Sequence, residues 1–409
     1  MKNFNIPEFY RSPVIDRVKN LRNTRDPRRK DNTPGILDFG AVQIAIARHF
    51  GFCYGVKNAV EIAFRAVDEN PGKRVFLLSE MIHNPEVNRD LVSRGVNFLM
   101  STDGKEIVPF AELTPNDVVV IPAFGTTLHI EERLREIGIA PEKYDTTCPF
   151  VEKVWKRSSE LGGSSYTNII HGKPGHEETR ATFSRAASHG PAIVVKDIHE
   201  AQKLGAFILG QLPRAEFDAL FGNRVSEGFD PDKDLQRVGV INQTTMLATD
   251  TQEIADYFKQ VMNQRYGEAD EKQHFADTRD TLCYATNENQ DATYGLLNWN
   301  ADVALVIGGY NSSNTSHLVE LCERKFATYF IKDETEIHSA AAIAHFDLHT
   351  HSMRHTENWL PQGNPARIII TSGASCPDSI VERVMNKVLS YYANTRTAEE
   401  ALQLLETAL

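Results

Sequence analysis

Hydrophobic positions along this chain fall into two alternating rhythms. Short apolar runs, mostly rich in β-branched residues, appear as "RVFLLSE", "DVVVIPAFG", "TNIIHGKPGH", "AIVVKD", "VGVINQTT", "DVALVIGG" and "RIIITSGAS". Each is followed by a turn and then by a segment of helical periodicity. After Cys53, for example, apolar residues recur at Val56, Val60, Ala63 and Val67, which predicts a helix with one buried face. From Val42 onward the repetition predicts an α/β fold of mainly parallel sheets. In such sheets the loops leaving the carboxyl ends of strands gather at one edge, where ligands bind. The polar residues of this chain concentrate in those loops.

The first forty residues break the pattern. Between Arg11 and Lys30 eight Lys or Arg stand against two Asp, with Pro27 and Pro34 nearby and little apolar periodicity. This predicts a polar extension over 1–40. A transit peptide is disfavoured, because the stretch is not serine-rich and carries acids. The remainder divides into α/β lobes at 41–147, 148–282 and 283–390, with an insertion at about 205–236 and a C-terminal tail at 391–409.

Composition narrows the function classes. With 409 residues, 41% hydrophobic and 24% charged, the chain is an ordinary soluble globular protein able to bury a large core. Its formal charge of -11 gives no general attraction to nucleic acid or anionic membrane, so an anionic substrate needs a local pocket of donors. No apolar run is long enough to span a membrane. Five scattered cysteines argue against a disulfide framework and for a reducing, cytoplasmic setting, or a plastid stroma in a plant or alga.

Three of those cysteines occupy equivalent places. Cys53 in "GFCYGV", Cys148 in "DTTCPFVEKV" and Cys283 in "DTLCYATNENQDA" each precede a helix-like segment, about one lobe apart. Free N–H groups and the helix dipole there favour a thiolate, the form that binds metal or attacks. Structural zinc would take closely paired cysteines, which are absent, whereas a cubane iron-sulfur cluster accepts distant ones and with three leaves one iron open. Three unrelated core cysteines fit the spacing as well. Cys322 lies on the apolar face of a helix pattern and reads as core. Cys376, in a loop before a helix, reads as a neighbour of the site, not a ligand.

The strand-end loops supply His83 and Asn84; His171, His176, Glu177 and Glu178; Gln243, Thr244 and Thr245; Asn311, Ser312, Ser313 and Asn314; and Ser372, Gly373 and Ser375. Hydroxyl and amide side chains beside free N–H groups make an anion cradle, although each residue alone also suits simple helix capping. Neither a P-loop nor a strand-borne G-x-G-x-x-G occurs, so a nucleotide is not indicated.

The ordered set "GFCYGV", "IHNPEV", "DTTCPFVEKV", "HGKPGHEE", "NQTT", "CYAT", "NSSN" and "SGASCPD", spanning about Gln43 to Leu389, resembles the 4-hydroxy-3-methylbut-2-enyl diphosphate reductase family. The resemblance implies three α/β lobes in a pseudo-threefold trefoil around a central 4Fe-4S cluster held by Cys53, Cys148 and Cys283. It also implies reductive dehydroxylation of an allylic diphosphate to isopentenyl and dimethylallyl diphosphates, the last step of the methylerythritol phosphate route. Carried over by motif, His83, His176, Ser312, Ser313, Asn314 and Ser375 bind the diphosphate, Thr244 bonds the substrate hydroxyl, and Glu178 supplies protons. Glu178 also suits the bland role of a first-turn acid on the helix dipole.

Departures from the family pattern are specific. Phe124 stands in "PAFGTT" where many relatives carry a histidine against the diphosphate, and Thr126 is a candidate replacement. Phe124, the "TENWLP" stretch and the extension resemble the plant and cyanobacterial branch. That makes a ferredoxin- or flavodoxin-type protein the expected electron donor. The "HFDLHTHSMRH" stretch at 345–355 reads as an exposed loop rather than a metal site. Two rival readings are a three-cysteine cluster enzyme of quinolinate synthase type, which the pairing of "HEE" with "NQTT" opposes, and an iron-sulfur carrier or sensor. A carrier would be expected to close its cluster with a fourth cysteine and needs no polar pocket.

Overall fold

The computed structural model describes residues 4–278 and 281–408, so small parts of the expected extension, second lobe and tail lie outside the described residues. The chain forms two compact units, one of Met1–Lys57, Ile82–Arg89 and Tyr284–Leu409, the other of Asn58–Met81 and Asp90–Cys283.

The first unit is built on a seven-stranded sheet in the order Gly35–Asp38, Val42–Ile46, Ala366–Ser372, Val303–Ile307, Ala327–Ile331, Ala342–Asp347, Ser352–Glu357. The four strands from Val42–Ile46 to Ala327–Ile331 run parallel; the outer pairings are antiparallel. Val303–Ile307 is buried at every position, as a parallel strand covered on both faces requires. Ile44 lies opposite Ile368, so residues 42–46 share a sheet with residues 303–372 instead of forming a lobe with the segment next to them in the chain. Periodicity reports that a strand exists but not which strand it joins.

Both termini add to this core. Pro13–Arg25 is a helix, capped by Ser12 Oγ, which accepts from the Ile15 N–H at 3.0 Å, and it buries Ile15 and Val18. With so few apolar residues its pattern is weak. Its buried Arg22 reaches the Asp31 carboxylate at 3.1 Å and the Thr33 carbonyl at 2.8 Å, so polar anchoring replaces part of the apolar face. At the other end, Ala398–Ala408 is a helix burying Leu402 and Leu405. The histidine-rich stretch falls within an antiparallel hairpin that pairs His345 with Arg354.

Arg48 and His49 follow the strand Val42–Ile46. Arg48 Nη2 donates to Asn23 Oδ1 at 3.1 Å and to the Asp26 carbonyl at 3.3 Å. Burial first, then the cations of Arg48, Arg29 and Arg22, push His49 down to about 4, against the opposing pull of Asp26; Glu288 stands 3.7 Å from Nδ1. The folded chain thus binds fewer protons than the unfolded chain between the ordinary histidine value of 6.5 and about 4. The stability contributed by neutral His49 is complete above that window and lost as pH falls through it, about 2 kcal/mol by pH 5. Urea unfolding at about pH 7.5 and pH 5 will show a smaller acid loss in His49→Gln than in the parent; equal losses would contradict this assignment.

The second unit carries two parallel sheets. One has the order Val96–Phe98, Val75–Leu77, Val118–Val120; the other Ala192–Val195, Thr167–His171, Val238–Asn242, Phe275–Ala276. The stretch at 205–236 folds into helices Arg214–Phe221 and Pro231–Asp234. Its Phe217, Phe221 and Leu235 pack into a core with Phe207 and Ile193, so this segment is structural.

Candidate active site

In the first unit, the first turn of helix Tyr54–Asp68 and the helices Ser313–Glu323 and Asp378–Leu389 each follow a parallel strand, which brings these helix starts to one sheet edge. Cys53 immediately precedes the first of them, and its N–H donates to the Ala374 carbonyl at 3.2 Å. Burial pushes its thiol up, while the N–H groups of Val56 and Gly55 and the Lys57 ammonium oppose that shift by favouring the thiolate.

Ser312 caps Ser313–Glu323: its Oγ accepts from the Thr315 N–H at 3.2 Å and from the Thr315 hydroxyl at 2.9 Å. Asn314 Oδ1 accepts from the Ala374 N–H at 3.1 Å and Asn289 Nδ2 at 3.3 Å. That fixes the orientation of the amide. Asn314 Nδ2 and Ser313 Oγ are buried with no hydrogen-bond partner among the described residues. Buried donors left unpaired are costly, so their presence at a helix start suits an anionic ligand. Ser375 Oγ donates to the His83 carbonyl at 3.1 Å, and a Cβ on Gly309 would stand 2.3 Å from that same oxygen. Glycine there is what lets the His83 backbone approach. His83, Ser312, Ser313, Asn314 and Ser375 are all buried at this edge.

In the second unit His176 caps the helix Glu177–Ala187, its Nδ1 accepting from the Glu178 N–H at 3.1 Å. An Nδ1 that accepts carries no proton, so in this arrangement the ring is neutral and Nε2 is its donor, rather than the imidazolium that diphosphate binding by itself suggests. The Phe124 ring meets the His176 ring edge-on at 5.5 Å. Thr126 is buried and lines a cleft of about 260 Å³ with Ser79, Glu177 and Arg180.

Glu178 is 1% exposed. Its two oxygens accept from the Thr244 N–H at 2.5 Å and the Thr244 hydroxyl at 3.0 Å. The Thr244 carbonyl in turn accepts from the Cys283 N–H at 3.2 Å. One residue thus joins the buried acid to a cysteine that precedes the helix Tyr284–Leu297. Gln243 braces this loop: its Oε1 accepts from the Lys173 N–H at 3.1 Å and the Thr179 hydroxyl at 3.0 Å, and its Nε2 donates to Thr245 Oγ1 at 2.8 Å. Cys148 immediately precedes Pro149–Gly163 and donates its N–H to the Ala123 carbonyl at 3.0 Å. Glu177 accepts from the Ser79 hydroxyl, and His171 Nδ1 lies 3.3 Å from Thr251 Oγ1; both are buried.

Sequence reasoning missed Asn289. Its signal is a buried polar stripe at Thr286, Asn289, Gln290 and Thr293, spaced three or four apart along one helix face.

The donor set fits an iron-sulfur cluster. Among the described residues Cys53, Cys148 and Cys283 form no disulfide and are only partly buried, whereas Cys322 and Cys376 are fully enclosed. Among the described residues no three His, Cys, Asp or Glu side chains converge as a single ion would require. In a cubane each thiolate takes its own iron, so convergence on one point is not needed.

These features define a class: an α/β protein with helix-start cysteines suited to a metal cluster, a buried acid tied to one of them, and unpaired donors for an anion. The chain belongs to the LytB protein family, whose model matches residues 44–389. It is 42% identical over 85% of its length to a 4-hydroxy-3-methylbut-2-enyl diphosphate reductase of Gloeobacter violaceus, covering 83% of that protein. It is likewise 42% identical to the reductase of the same name from Thermosynechococcus vestitus, over 86% of this chain and 85% of that one. A solved structure of (E)-4-hydroxy-3-methyl-but-2-enyl diphosphate reductase, described as the terminal enzyme of the non-mevalonate pathway, aligns with a TM-score of 0.51 at 25% identity, over 85% of this chain and 99% of the other. The E-1-hydroxy-2-methyl-but-2-enyl-4-diphosphate reductase from Plasmodium falciparum shares the fold, with a TM-score of 0.60 at 18% identity, over 91% and 99%. No helix among the described residues is long and apolar enough to cross a membrane.

Proposed function

We infer that this chain is a 4-hydroxy-3-methylbut-2-enyl diphosphate reductase. It converts its substrate to isopentenyl or dimethylallyl diphosphate with two electrons and two protons, releasing the hydroxyl as water. The observation that carries the reading is the buried Glu178 carboxyl group held by both the N–H and the hydroxyl of Thr244, whose carbonyl holds the backbone of Cys283. A proton source beside a cysteine-bearing loop is what this chemistry needs.

Cys53, Cys148 and Cys283 would hold a 4Fe-4S cluster, around which the three sheets would form the expected trefoil. When bound, it supplies electrons and a Lewis-acidic iron for the substrate oxygen. The remaining work falls to the protein. Ser313 Oγ and Asn314 Nδ2 would donate to the diphosphate, with Ser312, Ser375, His83 and the His176 Nε2–H around it. Thr244 Oγ1 would orient the substrate hydroxyl. Hydroxide is a poor leaving group, and a proton from Glu178, direct or passed through Thr244 Oγ1, lets it depart as water. A small ferredoxin- or flavodoxin-type protein is the proposed electron donor, and a reducing compartment the proposed setting.

The test is anaerobic purification, a cluster spectrum, and turnover of the hydroxylated diphosphate with a chemical reductant. Formation of the two five-carbon diphosphates is expected; a loaded cluster with no turnover would leave a carrier or sensor instead.

A further inference from the structure

The extension before residue 40 takes no part in the proposed chemistry, yet its side chains grip the residues on either side of Cys53. The Phe4 ring meets Tyr54 edge-on at 4.9 Å, and Tyr10 meets Phe52 at 5.8 Å. Lys19 Nζ lies 4.3 Å from the centre of the Phe50 ring and 2.7 Å from both oxygens of Asp378. Asp378 itself is packed against the turn: a Cβ on Gly51, whose φ is +78°, would stand 2.3 Å from its Oδ1. Residues 50, 51, 52 and 54 are therefore braced from outside, and only Cys53 is left to present its sulfur.

The brace is anchored. Tyr10 is 2% exposed, Pro13–Arg25 buries Ile15 and Val18 in the unit's core, and Arg22 and Arg48 tie the following turn to the end of the strand Val42–Ile46. Ring pairs and a partly buried ion pair are individually modest, but three extension side chains on residues 50, 52 and 54, with Asp378 against Gly51, together restrict this glycine-containing turn.

We propose that the N-terminal extension is a positioning clamp for the Cys53 loop, acting through Phe4, Tyr10 and Lys19 to hold that sulfur in place for the cluster. The proposal rests on the reading of Cys53 as a cluster ligand only for its purpose, not for the clamp itself. None of the three residues is a catalytic residue; each works through the loop it holds.

The experiment uses the full chain, purified anaerobically, as Tyr10→Ala, Lys19→Ala and Lys19→Arg, with Ile343→Ala as a destabilised control in the same unit, buried on a strand four places from Val42–Ile46 in the sheet. Two readouts are taken: decay of the visible cluster absorbance after exposure to air, and the rate at which iodoacetamide alkylates Cys53 relative to Cys148, followed by mass spectrometry. Tyr10→Ala and Lys19→Ala are expected to quicken both by about five-fold, the factor that loss of one such contact allows. Lys19→Arg, which keeps the cation, should stay near the parent, and Ile343→Ala should lower thermal stability without changing the Cys53 to Cys148 ratio. Unchanged rates in both the Tyr10→Ala and Lys19→Ala variants, or equal acceleration in Ile343→Ala, would overturn the clamp. If the parent chain carries no cluster, the alkylation ratio alone decides for or against the clamp, and the cluster reading fails separately.

Discussion

Glu178→Gln is expected to lower kcat by about 10²–10⁴-fold while leaving iron content and thermal stability close to the parent. The geometry makes glutamine an unusually clean probe. Its Oε1 can still accept from the Thr244 N–H, and its Nε2 can donate to Thr244 Oγ1, which needs only to turn its own hydrogen away. The loop therefore keeps its shape, and Cys283 keeps its carbonyl partner. What disappears is the exchangeable carboxyl proton and the direction in which the hydroxyl hands it on. Single-turnover kinetics beside the cluster spectrum separates the two outcomes: full activity with an intact cluster would remove Glu178 as the proton source, whereas loss of iron would assign it a structural role.

The second large effect is on the cluster itself. Cys53→Ser, Cys148→Ser and Cys283→Ser should each yield chain that retains little iron and sulfide, because a serine hydroxyl stays protonated where a thiolate forms. Cys322→Ser and Cys376→Ser should retain the parent content. Both sulfurs are fully enclosed within the apolar core of the first unit, whereas the three helix-start cysteines are only partly buried, so neither is placed to meet a cluster. Cys376 lies only one residue from Ser375, which makes it the sharper control. Iron and sulfide assays on the five variants decide the matter, and loss of iron in Cys376→Ser would reopen the ligand assignment.

The parts of this site legible in the sequence share a property: each rests on near neighbours in the chain. The three helix-start cysteines and the Ser312 cap follow from where apolar periodicity begins and which residues precede it. The long stretch at 205–236 is legible as an extra segment but not as a core, since Phe217 and Phe221 find their partners only in the folded unit. The helix Pro13–Arg25 escapes detection for the opposite reason: the buried Arg22, bonded to the half-exposed Asp31 carboxylate and to the Thr33 carbonyl, takes a place in the hydrophobic stripe that marks a helix in sequence.

By itself the sequence determined the α/β class, the positions of the cysteines at helix starts and, through an ordered set of motifs, the family. Tertiary structure alone decided that residues 42–46 enter a sheet with residues 303–372, that Glu178 meets Thr244 across 66 positions of chain, and that the Asn314 amide is turned so that its NH₂ lacks a partner among the described residues. The division is physical. Helix periodicity and capping are short-range effects written into adjacent residues, whereas strand order and the approach of one loop to another depend on which distant surfaces bury each other best.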